Sequence, residues 1–188
     1  MSELDDTVYN AIRRSAAGGF LKSFGLDIAE DTPGRMARAY VELLCGGGLT
    51  DDDIAKLLKT FPLEGDPGVV LVRGLPFASV CEHHALPFMG HVDVAYIPVD
   101  KIVGLSKIAR LVRAVSRRFQ VQERMGQQIA DHLNKATDAK GVMVRVTGRH
   151  TCMMLRGVES PGDMVTSCVR GVFATEATAR AEALALMG

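Results

Sequence analysis

The spacing of the apolar residues switches between helical and strand-like patterns along the chain, and this order limits the fold more than any other feature. Apolar residues recur about every fourth position over 106–118 and 121–134, which predicts two amphipathic helices. Strand-like segments lie on both sides of these helices, at 69–73, 77–80, 91–97, 142–147, 150–156 and 164–173. Strands grouped before and after a helix pair predict an α+β fold with antiparallel strand pairing.

The first third of the chain predicts further helices. Residues 4–24 have a mixed, largely helical composition that the Gly18-Gly19 pair is expected to interrupt. Thr32 is a candidate cap for a second helix, because Pro33 suits the first helical position.

Three other segments carry helix-start or helix-forming signals. Thr50 is followed by three aspartates, which predicts a helix that starts there and continues to about Thr60. Ser106 is a candidate N-cap for the helix over 106–118. The alanine-rich segment 176–187 predicts a final helix.

Charge and apolar content exclude several classes of protein. The 22 Lys and Arg residues balance 22 Asp and Glu residues, so an anionic ligand must be held by a local basic cluster. A general nucleic-acid binder is not expected without a basic excess. The apolar runs are far shorter than the roughly 20 residues of a membrane helix, so no membrane partner is expected. The acidic, polar start shows no secretory signal, and we expect a cytoplasmic location.

The four cysteines are too few for a disulfide scaffold, but two of them have histidine neighbours. Cys81 belongs to the segment Cys-Glu-His-His, where a cysteine and His84 three residues later can face one point on a turn. A thiolate and an imidazole together favour zinc, although this spacing alone is a weak signal. Cys45 and Cys168 lack such neighbours and are predicted to be buried thiols.

A second cluster strengthens the prediction of a metal site. If 150–156 is a strand, alternation places His150 and Cys152 on one face, and Cys152 can supply a third ligand. Three protein ligands leave a fourth position for water, as in catalytic zinc sites, and such a metal lowers the pKa of that water toward about 7. His83 and His150 are then candidate proton carriers, whereas either one alone would more simply be a structural histidine.

Basic and acidic residues near the two central helices suggest an anionic, heterocyclic substrate. Ser106 and Lys107 at a helix start combine a hydroxyl, an ammonium and backbone N–H groups, which suits phosphate. Glu123 can accept two hydrogen bonds from an amidine edge such as that of guanine. Arg156 and Arg35 can add contacts to an anion, although most charged helix faces are only solvated surface. The residues alone thus predict zinc-assisted hydrolysis of such a compound.

Four segments in order resemble the signature motifs of the GTP cyclohydrolase I family. They are PFASVCEHHALPFMGHVDVAYIP (76–98), VGLSKIARLV (103–112), RRFQVQER (117–124) and RHTCMMLRGV (149–158) followed by VTS (165–167). TPGRMARAY (32–40) also looks like the family's N-terminal helical motif. The resemblance implies a tunnelling fold, which is an antiparallel sheet with two helices on one face. It implies an N-terminal helical region over 1–65 and a catalytic domain over 66–188.

The resemblance also implies a reaction, a cofactor and roles for particular residues. The reaction converts GTP and water to 7,8-dihydroneopterin triphosphate and formate, in a homodecamer of two stacked pentamers with active sites at subunit interfaces. The implied zinc ligands are Cys81, His84 and Cys152, and the acid/base residues are His83 and His150. Gln122 and Glu123 are implied to contact guanine. The implied contacts to the ribose and triphosphate are Ser106, Lys107, Arg110 and Arg156. Arg35 is implied to reach the phosphates that are bound at a neighbouring subunit's site.

The chain departs from the family's usual pattern at a few positions. These are the segment Asp66-Pro67-Gly68, Gly74 in place of an aspartate, and Asp93 in place of a histidine. None is an expected ligand or acid/base position, so the basic activity is still expected. Two alternatives remain open: a paralogue that stops at the formamidopyrimidine or feeds a non-folate pathway, and an inactive family member.

Overall fold

The computed structural model describes residues 3–25, 27–65 and 68–188, with side chains described from residue 7 onward. The chain forms two compact units that divide between Leu44 and Cys45. The expected division into 1–65 and 66–188 follows motifs rather than packing, and it stays a prediction.

The first unit contains helices α1 (Glu3–Lys22) and α2 (Thr32–Leu43). The expected interruption at the glycine pair is wrong, because α1 continues through Gly18. A Cβ added at Gly18 would lie 3.7 Å from the Cγ atom of Pro33, which is an ordinary van der Waals contact with the start of α2. The cap of α2 is Asp31 instead of Thr32, and Pro33 is tolerated in the first turn because N–H groups there have no helical partner.

The second unit begins with helix α3 (Asp51–Leu57), whose start was predicted correctly. Thr50 Oγ1 accepts a hydrogen bond from the Asp53 N–H at 3.2 Å, and the Asp53 carboxylate accepts one from the Thr50 N–H at 3.1 Å. This reciprocal pair is a capping box. The helix ends before Thr60, which instead begins strand β1 (Thr60–Pro62), paired antiparallel with β4 (Lys101–Val103).

The main sheet of the second unit has five strands in the order β5-β2-β3-β6-β7. Their bounds are Val70–Cys81 for β2, Pro87–Ile97 for β3, Phe119–Gln120 for β5, Gly141–His150 for β6 and Met164–Gly171 for β7. Every neighbouring pair is antiparallel except the short β5, which runs parallel to β2. The expected antiparallel α+β fold is therefore confirmed.

Helices α4 (Leu105–Ser116) and α5 (Gln122–Thr137) cover one face of this sheet, as the tunnelling fold requires. Their apolar stripes were predicted from the spacing, and the residues that they bury are Ile108, Leu111, Val112, Val115, Met125, Ile129 and Leu133. Gly104 caps α4 in place of the expected Ser106. Alternate strand residues face the opposite side, where α7 (Val172–Thr175) and α8 (Ala177–Met187) pack in a second apolar cluster.

The predicted strand over 150–156 is wrong. Strand β6 ends at His150, and the next residues form the one-turn helix α6 (Thr151–Met154). The Thr151 hydroxyl donates to the Pro87 carbonyl oxygen at 2.5 Å and holds the start of α6 against the start of β3. His150 and Cys152 are therefore placed by a change from strand to helix and not by strand alternation.

The two cysteines without histidine neighbours are less buried than predicted. Cys45 is exposed and Cys168 is half-buried, so neither is the fully buried thiol that was predicted. Asp66 and Pro67 lie outside the described residues. Within the described residues, no helix is long and apolar enough to span a membrane.

Candidate active site

Three ligand-bearing residues from separate elements converge at one end of the sheet. Cys81 ends β2, His84 lies in the turn that follows, and Cys152 lies in the first turn of α6. Their sulfur and nitrogen atoms all lie within 4.8 Å of one another. This group contains all three residues that were predicted as metal ligands.

The turn between β2 and β3 brings His84 back toward Cys81. The Cys81 N–H donates to the Leu86 carbonyl oxygen at 2.8 Å, and the Ala85 N–H donates to the Cys81 carbonyl oxygen at 2.8 Å. Ala85 has a φ of 54°, a conformation that L-residues rarely adopt. These contacts close a tight loop with both ligand side chains on one side of it.

Two of the three separations between the ligand atoms are close to those around a small tetrahedral cation. The Cys81 Sγ atom lies 3.8 Å from His84 Nδ1 and 4.0 Å from Cys152 Sγ. Zinc bonds of about 2.0–2.3 Å at tetrahedral angles require ligand separations of about 3.6–3.8 Å. Two thiolates and one imidazole are also a donor set that zinc prefers over hard cations.

The electrostatics of the two thiols are consistent with a cation site. Burial raises the pKa of the Cys152 thiol, and the adjacent Cys81 raises it further, whereas Arg156 opposes this shift. Two thiolates this close repel each other unless a positive charge lies between them. A metal cation held here would supply that charge and would keep both sulfurs deprotonated.

His150 lies next to this ligand group, at the last residue of β6. Its ring stacks on Phe88 with 4.4 Å between ring centroids and an interplanar angle of 10°. Its Nε2 atom lies 2.9 Å from Gln122 Oε1. Burial lowers the pKa of His150, and the Glu123 carboxylate partly opposes that shift, so Glu123 is close enough to influence this histidine.

Gln122 and Glu123 point in different directions, although both were predicted to contact guanine. Consecutive helix residues are separated by about 100° around the axis. Gln122 is 1% exposed and its carboxamide bonds to β6 and β7, whereas Glu123 is exposed beside a groove of about 480 Å³. Thr166 and Ser167, from the VTS segment, line the same groove.

The predicted anion-binding residues come from three parts of the chain. Ser106 and Arg110 are exposed and Lys107 is half-buried on α4, and their side chains form no hydrogen bond or ion pair with any described residue. Arg156 follows α6 and is exposed, while influencing the pKa of Cys152. Arg35 belongs to the first unit, where it pairs with Asp31.

His83 is exposed on the turn beside the ligand group. Its ring lies edge-on to that of His84, with 6.3 Å between the centroids. Its position next to a ligand, together with its exposure, leaves it accessible to a bound molecule.

The residues that anchor this turn were not predicted from the sequence. Arg124 on α5 forms an ion pair with Glu82, donates to Gln120 Oε1 at 2.9 Å and donates to the Phe119 carbonyl oxygen at 3.2 Å. The Glu82 N–H also donates to the Gln120 carbonyl oxygen at 3.1 Å. Glu82 and Arg124 each lie inside one of the family motifs, but they are 42 residues apart, and nothing in the sequence indicates that they form a contact.

Comparisons with known proteins agree on one family. A family model described as GTP cyclohydrolase I matches residues 15–188. The chain is 48% identical over 159 residues to GTP cyclohydrolase 1 of Geobacillus kaustophilus, which covers 84% of this chain and 83% of that protein. It is 42% identical over 194 residues to GTP cyclohydrolase 1 of Bacillus pumilus, which covers 100% of this chain and 98% of that protein.

Proposed function

Because the chain belongs to the GTP cyclohydrolase I family, we propose that it converts GTP and water to 7,8-dihydroneopterin triphosphate and formate. The observation that best supports this activity is the convergence of Cys81, His84 and Cys152 beside His150. Hydrolysis of an imidazole ring needs an activated water and a proton carrier, and these residues offer a place for both.

We infer that zinc is the cofactor and that Cys81, His84 and Cys152 hold it. The distances between their ligand atoms and the soft donor set support this assignment. When bound, zinc supplies Lewis acidity that lowers the pKa of a water molecule in its open coordination position.

His150 and His83 are proposed to move the protons of the reaction. Opening of the guanine imidazole requires a proton at a ring nitrogen, and a later hydrolysis releases the C8 carbon as formate. His150 is half-buried with a lowered pKa, so its ring is neutral near pH 7 and can accept a proton and return it. His83 is exposed beside His84 and is the second candidate.

Other residues are proposed to hold the substrate. Glu123 faces the groove beside Thr166 and Ser167, where its carboxylate can accept hydrogen bonds from the N1–H and 2-amino group of guanine. The N-terminus of α4 lacks a side-chain cap, which leaves the Ser106 N–H for a phosphate. The Lys107 N–H donates to the Gly104 carbonyl oxygen at 2.7 Å, so Lys107 is proposed to contact the phosphate through its ammonium group. Arg110 and Arg156 are exposed and are proposed to contact the triphosphate and ribose.

The family resemblance leads us to propose a homodecamer with active sites at subunit interfaces. In the described residues β7 pairs with β6 alone, so its other edge is open to another strand, and Val165 on it is 60% exposed. Arg35 is proposed to reach the phosphates of a neighbouring subunit's site. The cytoplasmic location expected from the sequence stays a prediction.

The activity is tested by incubating purified zinc-loaded protein with GTP and following three products. Formate and a fluorescent neopterin, formed after oxidation and dephosphorylation, are expected together in equal amounts. ATP is the matched control, because it lacks the guanine edge that Glu123 is proposed to bind. A product with the mass of GTP plus water, without formate, would instead identify a paralogue that stops at the formamidopyrimidine. Unchanged GTP would identify an inactive family member.

A further inference from the structure

The side-chain amide of Gln122 forms all of its hydrogen bonds within the protein. Its Nε2 atom lies 2.9 Å from the Met164 carbonyl oxygen, 3.1 Å from the Val146 carbonyl oxygen and 3.2 Å from Thr166 Oγ1. An amide nitrogen has two hydrogens, and the two carbonyl oxygens are sufficient to accept both. The side chain is 1% exposed, so it offers no donor to a ligand.

These contacts determine which way the amide group faces. The reversed orientation would put Oε1 against two carbonyl oxygens that cannot donate a hydrogen bond. Oε1 therefore faces His150, where its distance to Nε2 is 2.9 Å. Because Oε1 can only accept, His150 must donate the hydrogen bond from Nε2.

This hydrogen bond restricts the chemistry of the His150 ring. Nε2 carries a proton in both the neutral and the charged form of the ring, because in each form it donates to Oε1. The other ring nitrogen, Nδ1, is then the atom left to contact a substrate.

Two neighbours hold this pair in place. Gly148 lies against the Gln122 carboxamide, and a Cβ atom added at this glycine would be 2.4 Å from Gln122 Oε1. The Phe88 ring, itself fully buried, stacks on the imidazole and limits its rotation. A glycine at 148 is thus required for the amide oxygen to reach the histidine.

We propose that Gln122 is a positioning residue, which holds His150 as the Nε2–H tautomer and leaves Nδ1 to face the substrate, and that it does not bind guanine. This proposal assigns a different role to Gln122 from the one that the family resemblance implies. It rests on the proposed function only in its last step, where His150 acts on the substrate.

The first test is a solid-state NMR spectrum of the full-length, metal-loaded protein labelled with ¹⁵N-histidine. The chain has five histidines, and a His150→Gln sample assigns the signals of His150. At a pH where the ring is neutral, we expect a protonated Nε2 and an unprotonated Nδ1. A protonated Nδ1 with an unprotonated Nε2 would overturn the proposal.

The second test compares the kinetics of Gln122→Met and Gly148→Ala. The first variant removes the hydrogen bonds at similar side-chain size, and the second displaces the amide oxygen while retaining the glutamine. Both should lower kcat for GTP by about tenfold or more, because a misplaced proton carrier loses part of its contribution of about 10²–10⁴-fold. Both should leave KM within about threefold and produce a mixture of His150 tautomers. Gly48→Ala, where an added Cβ meets nothing within 4 Å, is the control.

A rise in KM with unchanged kcat in Gln122→Met would mean that Gln122 binds the base, and would refute the proposal. Zinc content and urea midpoints identify a variant that does not fold, and in that case the spectrum of the parent protein decides alone. If the parent does not turn over GTP, the proposed function fails, but the tautomer of His150 still tests the role of Gln122.

Discussion

The backbone N–H of Gly74 donates a hydrogen bond to the Asp93 carboxylate at 2.8 Å. These residues occupy two of the positions that were singled out as departures from the family pattern, and they are neighbours on β2 and β3. Asp93 is 2% exposed and also pairs with Arg145 at 2.8 Å. Arg145 in turn donates to the carbonyl oxygens of Met187 and Gly188 at the end of α8. The two departures thus belong to one local network that holds the C-terminal helix.

We expect Asp93→Ala to destabilise the protein by about 2–3 kcal/mol, because it leaves Arg145 and the Gly74 N–H without their partner. The estimate is below that for a fully buried pair, since the Arg145 side chain is 21% exposed. Urea unfolding of parent and variant measures the change. Asp163→Ala is the matched control, because its pair with Arg149 is exposed and should contribute under about 1 kcal/mol. Equal effects of the two changes would contradict a structural role for Asp93.

Gly74→Ala should cost about 1–2 kcal/mol through backbone strain alone. Gly74 has a φ of 67°, at the irregularity in pairing between Val72 and Leu75, and an added Cβ would meet nothing within 4 Å. The cost therefore comes from the left-handed conformation and not from a clash. Urea midpoints of this variant and of Gly48→Ala, which has open space without that conformation, measure it. Identical midpoints would show that the bulge relaxes without cost.

Cys152→Ala should lose bound zinc together with GTP turnover, while its circular dichroism spectrum stays that of the parent. A chain of 188 residues buries enough surface to fold without a metal. His150→Ala should retain zinc and lose turnover, because His150 is proposed to carry protons and not to bind the metal. Metal content is measured by mass spectrometry of the purified proteins, with the exposed Cys45 changed to alanine as the control. Full zinc occupancy in Cys152→Ala would remove Cys152 from the ligand set.

Glu123→Gln should weaken GTP binding and lower kcat/KM by at least about tenfold. The change keeps the shape of the side chain but places an amide donor where the guanine N–H groups need acceptors, and a lost charged hydrogen bond costs about 1.5–3 kcal/mol. Calorimetric titration with GTP and steady-state kinetics measure the effect. Glu182→Gln, an exposed change on α8, is the control. Unchanged kinetics would mean that Glu123 does not bind the base.

His132 should make the protein less stable in mild acid. Burial between α3 and α5 lowers its pKa, and Arg118 and Lys135 lower it further, against the opposing effect of Asp51, whose carboxylate lies 3.6 Å away. The unfolded chain then binds more protons than the folded one, so this contribution to stability is lost as the pH falls through about 6.5 and below.

Urea midpoints at about pH 7.5 and about pH 5.5 test this linkage. The parent should lose more stability between these conditions than His132→Gln, which cannot take up a proton. Both proteins share every other titrating group, so the difference isolates His132. An equal loss in the two proteins would contradict the lowered pKa.

Local patterns were enough to predict most elements and part of the site. The stripes of α4 and α5, the start of α3 at Thr50 and the alternation in β6 depend on residues within one or two turns, or within one strand. The Cys81–His84 pair has the same origin, because a tight turn brings together residues three apart. In these cases the interactions that determine the local structure are between residues close together in the sequence.

Only the tertiary structure decided how the remaining site residues are arranged. Cys152 approaches Cys81 because the chain leaves β6 for a helical turn anchored on Pro87, 64 residues away from Thr151. Gln122 turns toward His150 because carbonyl groups 24 and 42 residues further along the chain accept its N–H groups. Local spacing contains no information about partners at such separations, since these contacts form only when the strands pair and the helices pack on them.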